Sequence, residues 1–323
     1  MSTAGGSLDQ PLVLPSTDEL EQIFQTVKNW GRWGDDDERG ALNHLTDQHR
    51  TRAATLVRTG EAVSMAHDLT TRPTPETPIP AHHHMLSSGD ALGSSGVPDY
   101  EATQDYLGTA VHGLGLTHID ALCHMFVRGE MYGGRSASMV RSTGSEANTI
   151  MSASDGVVGR GVLLDIPLAL GLDFLDPSYS VTVADLEAAE SAQGLTVGTG
   201  DLLIVSTGRD RRKLVGNGRL DPFGRGLPGL HPRTLPWLHE REVALLASDG
   251  ISDRMPFTSI PEWPFPVHQI GIVAIGLHLI DNLRLDTVTD ICRQENRWEF
   301  LMTVAPMRVP GGTGSPVNPI AIF

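Results

Sequence analysis

The chain has 323 residues, 40% hydrophobic and 20% charged, with a formal net charge of −15. That balance gives a globular chain with apolar side chains enough for a sizeable core and excludes a disordered one. The acidic surplus argues against nucleic acid and anionic membrane as partners, since both demand a positive footprint.

Residues 1–18 are polar and Pro-containing and read as an arm outside the fold. They have neither the basic start nor the apolar run of a signal peptide. Leu20, Ile23, Phe24 and Val27 carry helical spacing and predict a helix over 18–30. The acidic run Asp35 to Glu38 reads as a solvated turn with carboxylates at a helix start, and a second helix is predicted near 46–58. Strands are expected at 61–70, 108–120, 161–166, 201–206, 243–248 and 271–275, and helices at 182–193, with Thr182 as cap, and 281–292. Between the first two strands, 71–99 is rich in Pro, Ser, Gly and His and reads as a lid or binding loop. Its histidines His82, His83 and His84 are consecutive, so they point in different directions and do not share one ion. The order of elements gives an α/β fold, a mixed β-sheet or barrel core flanked by helices, with residues 1–60 as an N-terminal extension and 61–323 as the main domain.

No stretch approaches the roughly 20 apolar residues that span a bilayer. Cys123 and Cys292 read as reduced thiols, which places the protein in the cytoplasm.

The chemistry is concentrated in Thr117-His118-Ile119-Asp120-Ala121-Leu122-Cys123-His124. On an extended segment His118 and Asp120 share a face and can converge on one cation. Imidazole with carboxylate suits zinc, manganese or iron. His124 follows after a turn, as a further ligand or as a base beside the ion. The plain alternative is a His–Asp pair satisfying the core. His278 reads as a packed core histidine and Cys123 as a small buried side chain. The run Gly311 to Ser315 has no following Lys or helix and reads as a tight loop closing over the site, not as a phosphate cradle.

This stretch resembles the signature of the cyclase family of metal-dependent hydrolases, His-x-Gly-Thr-His-x-Asp-x-Pro-x-His, a family that includes bacterial kynurenine formamidase and isatin hydrolase. Thr117, His118, Asp120 and His124 match in place, while Leu114, Leu116 and Leu122 depart from it. Val267-His268-Gln269 resembles the segment with a late ligand His, and Leu279 to Leu283 the segment with a Glu ligand, here Asp281. Ser248 to Ser252, the tail from Ala305 to Pro319 and the N-terminal WGRWGDDDERGALN extend the likeness, the last to the longer family members.

The resemblance implies a swivelling β/α-like fold and a dimer or tetramer. It also implies hydrolysis of an amide, formamide or lactam bond in a small cyclic or aromatic substrate. The implied cofactor is a divalent ion, zinc or manganese, held by His118, Asp120, His268 and Asp281, with His124 as the catalytic base. Leu114 leaves one ligand missing. His112 has the right parity to replace it, but on an ideal strand it lies about 20 Å from His118, at roughly 3.3 Å per residue. Only a bulge or loop at 113–115 brings it in. Lactone hydrolysis, ring-closing dehydration and a catalytically silent binding protein are rival readings of the same residues. Substrate contacts are expected from 71–99, Trp30, Trp33, Phe257, Trp263 and Phe265.

Overall fold

The structure, a computed structural model, describes residues 14–91, 99–215, 224–256 and 260–323. Phe257, the first part of the N-terminal arm and residues 92–98 of the long loop lie outside the described residues. The central sheet has nine strands: β1 (Ala62–Ser64), β2 (His118–Asp120), β3 (Val157–Asp165), β4 (Leu202–Ser206), β5 (Leu245–Ser248), β6 (His278–Asp281), β7 (Glu299–Val304), β8 (Gly314–Pro316) and β9 (Ile320–Ile322). Their spatial order is β1-β9-β7-β3-β4-β5-β6-β2-β8. Strands β3, β4, β5 and β6 run parallel; the pairs outside them are antiparallel. The sheet curls into a half-barrel with helices around it, as the sequence predicts.

The parallel strands read as unbroken apolar runs because both faces are covered. Leu203 and Val205 pack into one core cluster, and their neighbours Leu202 and Ile204 into another on the opposite face. Val162 and Leu164 alternate with Leu163 in the same way on β3. The helix Thr17–Thr26 buries Leu20, Ile23 and Phe24 in the first of these clusters, together with Val27. Helix Asp47–Ala54 follows, and Val183–Gln193 is capped by Thr182 through a reciprocal bond with Asp185. No helix among the described residues is long and apolar enough to cross a membrane.

Five elements differ from expectation. Residues 271–275 are not a strand but one π-helical turn, Gly271–Ile275, continuing the helix Pro266–Ile270. A short apolar run buried on all sides has no periodicity to separate helix from strand. The next strand is β6, so Asp281 sits at a strand end, and the helix begins only at Asp286. The strand expected over 108–120 is reduced to β2, and that over 61–70 to β1. Within 71–99, the strand His82–Ser87 pairs with Gln104–Gly108 as an exposed hairpin.

Candidate metal centre

The site forms where β2 lies against β6. In this antiparallel pair His118 stands opposite Asp281. Ile119 enters the second core cluster, so the alternation of the strand turns His118 and Asp120 to the other face. Asp281 shares that face, because its alternate neighbour Leu279 belongs to the first cluster. Three ligand-type side chains thus converge by sheet register alone.

Asp120 is the centre of the group and is 1% exposed. Its Oδ1 lies 2.8 Å from His112 Nδ1 and 3.5 Å from His118 Nε2. Its Oδ2 is buried and accepts no hydrogen bond; His268 Nε2 lies 3.5 Å from it. Burial would raise this carboxyl, but the imidazoles of His124, His112, His268 and His118 overcome that and hold it well below the usual carboxylate range.

His118, 2% exposed, donates from Nδ1 to the carbonyl of Leu116 at 2.7 Å. That bond fixes the tautomer and leaves the Nε2 lone pair free. His268 is held by Asp253, whose Oδ2 accepts from the backbone N–H of His268 at 2.9 Å and from its Nδ1 at 2.7 Å. The other oxygen of Asp253 accepts from Val267 N at 2.8 Å, so this one carboxylate also caps the helix that carries His268. His268 Nε2 then faces Asp281 Oδ2 at 3.2 Å. Burial opposes charging of this imidazole, yet the carboxylates of Asp281, Asp120 and Asp253 outweigh burial and hold its pKa well above the usual 6.5.

His112 is brought in. Residues 111–116 form an irregular loop, not an extended strand, and Gly113 in it takes φ 150°, which a side chain would resist. His112 Nε2 reaches Thr313 Oγ1 at 3.0 Å, and its ring stacks on His124 with centroids 3.7 Å apart. Gly314 makes room: a Cβ there would meet the Ile119 carbonyl at 2.7 Å and His112 Cε1 at 2.9 Å. Thr313 thus lies against His112, while Gly314 and Ser315, expected in a closing loop, open β8 and pair with β2. Burial pushes His124 down to about 4 against the pull of Asp120, so it is uncharged at neutral pH.

Two overlapping groups offer ligand atoms within 4.8 Å of one another: His112, Asp120 and His124, and His118, Asp120 and Asp281. The donor set is imidazole nitrogen and carboxylate oxygen, and the unsatisfied Asp120 Oδ2 is the buried acceptor that a cation would complete. The residues present therefore fit a divalent transition ion.

Other expected positions fall elsewhere. His82, His83 and His84 are exposed on the hairpin, where His83 pairs with Asp105 at 3.0 Å. His278 is fully buried and uncharged, pushed down to about 4 by burial. Cys123 and Cys292 are free and buried. Trp263 is 1% exposed and packs on Phe24, so it belongs to the core rather than to a substrate pocket. Trp30 is half-buried against the same cluster, where it donates to the Val273 carbonyl. Phe265 does reach the site, 6.4 Å from His268 ring to ring. Asp253 was missed by motif and spacing. An Asp a few residues after a strand, ahead of a Pro-started helix, was its only signal.

The fold and site define an α/β protein with a buried histidine–carboxylate centre. The family described as putative cyclase matches residues 63–253, and the chain belongs to that family. A crystal structure described as a novel cyclase is 32% identical, with TM-score 0.81, covering 92% of this chain and 99% of its own. Isatin hydrolase A from Labrenzia aggregata, bound to benzyl benzoate, is 20% identical with TM-score 0.56, covering 83% and 94%. A predicted metal-dependent hydrolase from Bacillus stearothermophilus is 17% identical with TM-score 0.52, covering 81% and 97%. The last two share the fold. No curated protein sequence matches the chain significantly.

Proposed function

We propose that the protein is a metal-dependent hydrolase that cleaves an amide, formamide or lactam C–N bond of a small cyclic or aromatic substrate. The observation that carries this reading is Asp120 Oδ2, a buried carboxylate oxygen with no hydrogen bond, beside His268 and in one group with His118 and Asp281. His118, Asp120, His268, Asp281 and His112 would hold zinc or manganese. Such an ion, when bound, acidifies water and polarises a carbonyl oxygen. Membership of the cyclase family, and structural neighbours named isatin hydrolase and metal-dependent hydrolase, support the reaction class.

The chain's own residues supply the rest. Asp253 and the Leu116 carbonyl keep the Nε2 atoms of His268 and His118 aimed at the carboxylates. His124 presents an uncharged ring beside Asp120 and accepts a proton at a ring nitrogen during attack, then returns it to the leaving nitrogen. Phe265 gives the substrate an apolar edge. The net charge of −15 supports a small-molecule substrate over nucleic acid or a membrane surface. A cytoplasmic dimer or tetramer, with residues 61–323 as the catalytic domain, completes the reading.

The test is elemental analysis of the purified protein together with turnover of isatin, an aryl formamide and a lactone, followed by mass. One or two ions per chain and addition of one water to a C–N substrate are expected. His124→Ala should keep its metal and lose 10²-fold or more in kcat. Loss of water from the substrate, or turnover confined to the lactone, overturns the bond assignment; unchanged kcat in His124→Ala removes it as the base.

A further inference from the structure

The loop that delivers His112 has no ladder of its own, so its carbonyls need other partners. Two side chains supply them. Asn282 directly follows Asp281, in a left-handed conformation with φ 58°. Its Nδ2 donates to the carbonyls of Gly113 at 2.8 Å and Leu116 at 3.0 Å. Its own carbonyl accepts from Thr117 Oγ1 at 2.6 Å. Arg209 donates from Nη2 to the carbonyl of Leu114 at 2.6 Å, and from Nη1 to Asn282 Oδ1 at 2.6 Å and to the Asp249 carbonyl at 2.9 Å.

Neither side chain is free to move. Asn282 is fully buried and Arg209 is 3% exposed. Asp249 accepts from the backbone N–H of Arg209 at 2.9 Å and from Thr207 Oγ1 at 2.8 Å. Thr207, Asp249 and Asn282 each stand just past the C-terminal end of a parallel strand, β4, β5 and β6 in turn. The clamp is thus rooted in the most rigid part of the sheet. It also touches a second ligand candidate, because the Leu116 carbonyl that takes Asn282 Nδ2 is the one that takes His118 Nδ1.

We propose that Arg209 and Asn282 are positioning residues. They hold the carbonyls of Gly113, Leu114 and Leu116 so that the loop turns His112 onto Asp120 and keeps His118 in the tautomer with Nε2 free. This rests on the metal reading given above. The clamp lets a chain with Leu114 in place of a family His recruit an imidazole from two residues earlier. Arg is needed because its planar fork reaches the loop carbonyl, the Asp249 carbonyl and the Asn282 side chain at once, which a Lys ammonium on a flexible stem does not.

Asn282→Asp tests it, since the variant keeps Oδ1 for Arg209 and puts an oxygen opposite two carbonyls. Arg209→Lys is the milder companion should the first fail to fold. In metal-free protein, hydrogen–deuterium exchange over residues 109–117 should quicken about tenfold or more, while strands β3 to β5 stay protected. Zinc affinity, by chelator competition, should fall about 10- to 100-fold, the range for outer-shell partners of metal ligands. Combined with His112→Ala, the loss should be below the product of the two single losses, because the part of the clamp's effect that runs through His112 is already gone. A purely structural role lowers the melting temperature yet leaves the two losses multiplicative, and that result overturns the proposal. Unchanged exchange over 109–117 overturns the clamp itself, with or without metal. A wild-type protein that takes up no zinc or manganese refutes the metal reading and the positioning step with it, while the exchange measurement still decides the clamp.

Discussion

Replacing Asp253 by asparagine keeps the side chain's size and one carbonyl-type oxygen. That oxygen can still accept from Val267 N, now at 2.8 Å. The amide group then stands where Oδ2 took the backbone N–H of His268 at 2.9 Å and its Nδ1 at 2.7 Å. Two hydrogen bonds to a charged acceptor become donor-against-donor contacts in a fully buried position. Bonds to charged groups contribute about 1.5–3 kcal/mol each, and relaxation recovers part of that, so metal-free Asp253→Asn should lose about 2–4 kcal/mol of unfolding free energy. The imidazole also loses what sets its Nδ1 proton and ring angle. Zinc affinity should then fall about 10- to 100-fold, or about 1.4–2.7 kcal/mol. Urea unfolding of the metal-free protein gives the first quantity and chelator competition the second. A folded Asp253→Asn that binds zinc within about twofold of wild type would falsify the view that Asp253 orients a ligand, leaving it only as a helix cap.

Further outcomes follow from single contacts. His278 is buried with its pKa lowered to about 4 from 6.5, so the folded state favours the neutral ring; its contribution is fully present above pH 6.5 and is lost as pH falls through 4, up to about 3 kcal/mol. The urea midpoint of wild type should therefore fall relative to that of His278→Leu between pH 7 and pH 4, and parallel curves would count against the burial argument. Gly314→Ala drives a methyl into the Ile119 carbonyl and His112, costing about 1–3 kcal/mol, with a melting-temperature drop that added zinc does not fully restore. Replacing His82, His83 and His84 together by alanine should leave metal stoichiometry unchanged by elemental analysis, and any lost ion would place the exposed hairpin at the site.

The sequence carries the parts of this site that depend on short range. Alternation puts His118 and Asp120 on one face of β2, and burial on both faces makes β3 to β5 readable as apolar runs. What was hidden depends on backbone that breaks a period. Residues 271–275 share their apolar character with the buried strands, and only the register of β6 against β2 shows that the π-helical turn precedes the strand and sets Asp281 opposite His118. His112 is the sharper case. Spacing along an ideal strand removes it from the site, and the loop geometry that returns it is imposed by Arg209 and Asn282, 97 and 170 residues further along (209 − 112 and 282 − 112). Its signal in the sequence was negative: Gly113 and Gly115 flanking a Leu where a ligand belonged. A gap in a ligand pattern beside glycines is better read as a question about where the backbone goes than as a lost function. Here the answer lies in three carbonyls and the two side chains that hold them.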